Sequence, residues 1–146
     1  MISKAKELLS ADEKKKILEA IRYAESKTSG EIRLHLEDFC KEDVLDHAAF
    51  LFQKLKMHET KHRNGVLFYV SVQDKQFAIL GDRGINEAVP DDFWQSVKTT
   101  VLQEFVLGNY AGGLQKGIEL AGEKLRKFFP VEVNDKNELS DDISFG

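Results

Sequence analysis

The sequence predicts an α/β protein built on a small mixed sheet, a parallel βαβ unit extended by an antiparallel hairpin. Three observations carry this. Val66-Leu67-Phe68-Tyr69-Val70 is an unbroken apolar run, the pattern of a strand buried on both faces and therefore central in a sheet. The turn Gln73-Asp74-Lys75 is too short for a crossover helix, so strands over Val66–Val72 and Gln76–Leu80 are antiparallel neighbours. Upstream, an alternating segment and an amphipathic segment precede the apolar run, the order of a right-handed strand–helix–strand crossover.

The elements follow in chain order. The first ten residues read as a short helix or a frayed arm. Ser10 and Glu13 have capping-box spacing, which opens a helix by satisfying free N–H groups of its first turn. Ile17, Ala20, Ile21 and Ala24 recur on one face of it. Thr28-Ser29-Gly30 is turn chemistry that ends it near Lys27. Glu31–Glu37 alternates strictly, with Ile32, Leu34 and Leu36 against Glu31, Arg33, His35 and Glu37. That predicts a strand with one wet face near a sheet edge. Asp43 to about Met57 predicts a second helix, with Val44, Ala48, Leu51, Phe52 and Leu55 inward.

Beyond the hairpin, Pro90 with Asp91 and Asp92 predicts a third helix start, since Pro suits the boundary and acids suit the positive end of the dipole. Phe93, Trp94, Val97, Val101 and Phe105 form its stripe, and Leu107-Gly108-Asn109 breaks it. A fourth helix is expected over about Tyr110–Phe129, with Leu114, Ile118, Ala121, Leu125 and Phe128 inward. Its glycines 112, 113, 117 and 122 each cost about 1 kcal/mol relative to Ala, which points to close packing. Residues 1–130 then form one domain and residues 131–146 an acidic tail, in which Val131–Val133 can add an edge strand.

At 146 residues the chain has the size of a single domain. Its net charge of −4 argues against nucleic acid or an anionic membrane and favours cations. One cysteine, Cys40, excludes an internal disulfide and a multi-Cys zinc site. The N-terminal residues lack a signal-peptide core, and no segment approaches the roughly 20 apolar residues of a membrane span. These features predict a cytoplasmic protein.

The chemistry is expected at the ends of the sheet. Glu31 begins the first strand, Asn64 precedes the second and Asp82 follows the third, so the predicted topology brings all three to one edge. Two carboxylates and an amide oxygen are a hard donor set suited to Ca²⁺ or Mg²⁺. Glu104, or Asp91 and Asp92, can approach the same edge from the third helix. The alternative is that Asn64 and Asp82 only cap turns. At the opposite edge His35, Glu37 and Asp38 meet the Asp74 turn, where a solvated strand end is the plainer reading. The tail residues Asp135, Asn137, Glu138, Asp141 and Asp142 lack EF-hand spacing, yet can fold back and lend a ligand. No nucleophile motif occurs, and His47, His58 and His62 match no metal motif.

Several segments together resemble the TPM domain family. They are Thr28-Ser29-Gly30-Glu31, Arg63-Asn64-Gly65-Val66-Leu67, Phe77 to Gly84, Phe105 with Gly108-Asn109-Tyr110, Gly113 and Gly117, and Asn137-Glu138-Leu139. The resemblance implies a three-layer α/β/α sandwich and divalent-metal binding, often calcium, near acidic residues at one sheet edge. It also implies acid phosphatase activity in some members. It is closest to a short soluble branch without a signal peptide, transmembrane helix or Gly-rich tail, which argues against membrane-repair and receptor roles.

Two functions follow as expectations. One is a calcium- or magnesium-binding domain with a regulatory or interaction role. The other is a metal-assisted phosphomonoester hydrolase acting on a phosphorylated small molecule or protein. There Glu31 and Asp82 would hold metal, Asn64 would orient, and Arg83 would stabilise charge in catalysis, with Arg63 or Arg83 forking phosphate oxygens. A partner-binding domain without metal is the third.

Overall fold

The computed structural model describes residues 4–132 and 139–146. In chain order the elements are α1 (Lys4–Glu7), α2 (Ala11–Glu25), β1 (Glu31–Glu37), α3 (Val44–Lys54), β2 (Gly65–Ser71), β3 (Gln76–Gly81), α4 (Arg83–Ala88), α5 (Gln95–Val106), α6 (Tyr110–Leu125) and β4 (Ser144–Phe145). The sheet order is β3-β2-β1-β4. β1 runs parallel to β2, with Glu31 opposite Gly65 and His35 opposite Tyr69. β3 runs antiparallel to β2, with Val66 opposite Gly81.

Alternation along each strand sorts side chains to two faces. Ile32, Leu34, Leu36, Val66, Phe68, Val70 and Ile79 join the core formed with α2, α5 and α6. Leu67, Tyr69 and Ala78 pack instead with Ala48, Leu51 and Phe52 of α3. Helices thus cover both faces, the three-layer α/β/α sandwich. The glycines of α6 serve close approach: a Cβ at Gly122 would stand 2.5 Å from Ala24 Cα. The Ser10–Glu13 capping box is formed in both directions.

Several expectations change. β1 is not a wet outer strand. It lies between β2 and β4, and Glu31, His35 and Glu37 are buried. Polar side chains tolerate burial when hydrogen-bonded: His35 and Glu37 bond each other, and Glu31 accepts a backbone N–H from Leu139. The edge strand from the tail is Ser144–Phe145, whereas Val131 and Glu132 lie outside any strand and Val133 outside the described residues. α5 starts at Gln95 rather than at the Pro90 boundary. Phe93 N–H bonds Pro90 O and Gln95 N–H bonds Asp92 O, both at 3.0 Å, so Phe93 and Trp94 occupy a turn. α4 was not expected. It is too short to show periodicity, but Asp82 caps it and Ile85 anchors it in the core.

Candidate functional site

At the amino end of β1 and β2 the backbone arrives as the hairpin geometry requires. Asp82 N–H bonds Gly65 O at 2.9 Å, and Glu31 N–H bonds Asn64 O at 3.2 Å. Glu31, Asn64 and Asp82 therefore reach one sheet end, but they do not converge. β2 stands between Glu31 and Asp82, which separates their backbones by about two strand spacings, roughly 10 Å.

Asp82 is already engaged. Its Oδ1 accepts from Arg83 N–H at 2.7 Å and from Arg63 Nη2 at 3.0 Å, and its Oδ2 accepts from Arg63 Nε at 2.8 Å. Asn64 is a clip. Its side-chain amide donates to Ser29 Oγ at 3.3 Å, and its N–H and Oδ1 meet Thr60 Oγ1 at 3.2 and 3.4 Å. Glu104 lies elsewhere. Its carboxylate meets Lys116 Nζ at 2.5 Å and Asn109 Nδ2 at 3.0 Å. These two donors hold it below the usual carboxylate range. The neighbouring Phe105 packs on Phe77, which pairs with Val70 at the far end of the hairpin. Asp91 and Asp92 are exposed in the turn before α5. Arg83 is largely exposed, 4.0 Å from Glu87, beside a cleft of about 430 Å³ lined also by Phe52, Gln53, Asp82 and Asn86.

A different carboxylate group forms at Glu31. Glu31 Oε1 accepts Leu139 N–H at 2.8 Å. Glu25, at the end of α2, accepts Ile32 N–H at 3.1 Å and shares a hydrogen bond with Asp141 from the tail. Burial, that bond and the charges of Asp141 and Glu31 push the Glu25 carboxyl up to about 9. It therefore keeps its proton at neutral pH. Asp141 Oδ1 is buried with no hydrogen-bond partner among the described residues. The donors fit a hard divalent cation in kind. As they stand, no group of three or more His, Cys, Asp or Glu among the described residues is arranged to hold a metal ion. Asp135, Asn137 and Glu138 lie outside the described residues.

The carboxyl end of β1 holds a second polar network. Buried Glu37 accepts from Tyr69 Oη at 2.8 Å and pairs with His35 Nε2 at 3.0 Å and His47 Nε2 at 2.8 Å. Burial works to raise the Glu37 carboxyl, but these three bonds outweigh it and hold it low. His47 Nδ1 reaches Glu42 Oε1 at 2.9 Å. Burial would lower His47, yet its two carboxylate partners raise it, so it favours the imidazolium with both nitrogens donating. His35 is lowered, chiefly by burial, and its Nδ1 lies 2.7 Å from Ser144 Oγ. Asp74 accepts Cys40 N–H at 2.5 Å and Ser71 Oγ at 3.1 Å. This is no solvated strand end. The available signal was the i, i+2 spacing of His35 and Glu37, which puts both on one face. The parts played by His47 and Tyr69 required the register of β1 on β2 and the placement of α3.

Comparison with known proteins places this arrangement. A family model, the TPM domain, matches residues 2–124. The NMR structure of the BA42 protein from the psychrophilic bacterium Bizionia argentinensis superposes with a TM-score of 0.90 at 51% identity, over 94% of this chain and 95% of that one. The N-terminal domain of a protein from P. gingivalis aligns with a TM-score of 0.68 at 21% identity, over 81% and 76%. The N-terminal domain of cg2496 from Corynebacterium glutamicum aligns at 0.64 and 13%, over 94% and 80%. The last two share the fold alone. No curated protein matches. With the family model spanning most of its length and a fold that BA42 shares throughout, this chain belongs to the TPM domain family.

Proposed function

We propose that this TPM domain is a divalent-cation-binding module, for Ca²⁺ with Mg²⁺ as the alternative, serving a regulatory or interaction role. The carrying observation is the Glu25–Glu31–Asp141 group, where burial first, then the bond to Asp141 and the charges of Asp141 and Glu31, hold a proton on Glu25. Like charges kept together by one proton are relieved by a cation, and three carboxylates select a hard one. Asp82 and Asn64 support this corner of the fold rather than supplying ligands, because Arg63 and Thr60 already occupy them. Glu104 is outside the proposal. The module needs no nucleophile.

The test is calorimetric titration of the EDTA-treated full chain with Ca²⁺. Saturable heat is expected in the wild type, lost in Asp141→Asn and Glu31→Gln, and kept in Asp82→Ala. Silence with both Ca²⁺ and Mg²⁺ would sink the reading. Loss in Asp82→Ala alone would return the site to the hairpin corner.

The second reading, a phosphomonoester hydrolase, is favoured by one feature: Arg83 stands exposed at a cleft beside Asp82, where its fork can take phosphate oxygens. A bound divalent cation would supply charge neutralisation and an acidified water. Arg83 would bind and orient the ester. Cation-dependent turnover of a phosphomonoester that falls in Arg83→Ala is the result that would favour this reading over the first.

A further inference from the structure

β3 is an open edge of the sheet. It ends the strand order and pairs with β2 alone among the described residues. Asp82 N–H bonds Gly65 O, which makes Asp82 and Gly65 a hydrogen-bonded pair. Such pairs alternate along an antiparallel ladder. Gln76, Ala78 and Leu80 therefore bond β2, while Phe77, Ile79 and Gly81 turn their N–H and C=O groups away from it. The Gly81 carbonyl agrees with this sense, because it accepts from Asn86 Nδ2 at 3.2 Å. Among the described residues the outward groups of Phe77 and Ile79 meet no turn or loop backbone partner. Gln76–Gly81 contains no charge and no proline, the usual devices that blunt an edge strand.

A cleft meets each end of this strand. At its start Lys75 and Gln76 line one of about 400 Å³ with Leu102, Phe105 and Val106 of α5, and Val106 is 86% exposed. At its end Leu80 and Gly81 line the cleft of about 430 Å³ with Ala49 and Phe52 of α3. α5 and α3 cover opposite faces of the sheet, so the two clefts also lie on opposite faces. Successive side chains of a strand point to opposite faces. A further strand laid against β3 thus sends alternate side chains toward the two clefts. Lys75 stands exposed at the first cleft and forms no ion pair among the described residues.

We infer that the β3 edge is a docking site for an extended segment of a partner protein, apolar at alternate positions and carrying an acidic residue beside Lys75. The outward groups of Phe77 and Ile79 hold the segment's backbone, and the clefts read its side chains. A carboxylate complements Lys75 and sets the register. A second copy of this chain fits worse. Antiparallel pairing of two β3 strands about Ile79 would set Lys75 against Arg83 of the other copy, and like charges facing across a ladder oppose pairing. The docking site goes beyond the cation reading and does not depend on it.

The test selects random phage-displayed peptides against the full chain and titrates one enriched, synthesised peptide by NMR. Enriched sequences are expected to alternate apolar residues and to carry Asp or Glu. The bound peptide should slow hydrogen exchange of the Phe77 and Ile79 amides. Its affinity should fall on the order of tenfold in Lys75→Glu, an exposed turn substitution that leaves the core untouched. N-methylation at one set of alternate peptide positions should abolish binding, and at the other set spare it, because only one set faces β3. Absence of enrichment, or binding that moves neither amide, would overturn the docking site. So would undiminished affinity in Lys75→Glu, or equal tolerance of both N-methyl sets, which would mean side-chain contact without a ladder. A dimer seen by sedimentation, with Phe77 and Ile79 protected in the absence of peptide, would overturn it in favour of a second copy.

Discussion

Arg63 grips Asp82 with two parallel donors, Nε at 2.8 Å and Nη2 at 3.0 Å. The pair ties the loop before β2 to the cap of α4, and Arg63 holds a left-handed backbone, φ 50°, to do so. Such a conformation is uncommon for a side-chain-bearing residue and persists where surroundings impose it.

Removing that grip leaves Asp82 buried without its cation. Arg63→Ala is expected to destabilise the fold, because it strands a buried partner. Urea unfolding of the two proteins checks it. An unchanged midpoint would mean that water replaces the guanidinium at no cost.

The Glu25 carboxyl should make metal-free protein less stable as pH rises. Its folded pKa of about 9 exceeds the ordinary carboxyl value of 4.5 that the unfolded chain takes. Across that window the folded state keeps a proton that the unfolded state has released. The slope is then negative, at most about 1.4 kcal/mol per pH unit from this group. Glu25→Gln preserves the bonds to Ile32 and Asp141 without the titration, so its stability between pH 5 and 9 should be flatter than wild type. Parallel profiles would refute the assignment.

His35 and His47 share Glu37 yet should titrate on opposite sides of 6.5. Burial lowers His35, while Glu42 and Glu37 raise His47. His47 adds stability below 6.5 that is lost as pH climbs through its folded pKa. His35 costs stability as pH falls below 6.5, because the unfolded chain takes up the proton first. Imidazole NMR titrations resolve the two. A coincident midpoint would show that the network does not differentiate them.

Tyr69→Phe removes one donor from buried Glu37. A loss of about 1–3 kcal/mol is expected if the freed oxygen stays dry. It should come with a rise in the Glu37 pKa, since that bond helps hold the carboxyl low. Carboxyl NMR titration reads the second effect, and no movement would contradict the network.

Gly122→Ala tests the packing of α6 on α2. Helix propensity alone favours Ala by roughly 1 kcal/mol. The new methyl would meet Ala24 Cα at 2.5 Å and Cβ at 2.6 Å. Overpacking of that kind costs about 1–3 kcal/mol, so net destabilisation or near-neutrality is expected. A stabilised variant would show that the helices part freely.

Whatever depends on local period and short connection was legible in the residues alone. The apolar run at Val66–Val70 marked the central strand. The short turn after it dictated an antiparallel hairpin and brought Asp82 back to Gly65. The box at Ser10 and Glu13 marked the start of α2. Tertiary structure alone decided which polar groups share a space. Glu31 belongs with Glu25 and Asp141 rather than with Asp82, because β4 docks beside β1 and carries Asp141 there, while β2 stands between Glu31 and Asp82. Glu37 is a buried acceptor rather than a wet strand end because α3 brings His47 over it and the β1–β2 register sets Tyr69 beside it. Such meetings depend on packing between elements remote in sequence, and the protonation of Glu25 follows from the meeting, not from the residue.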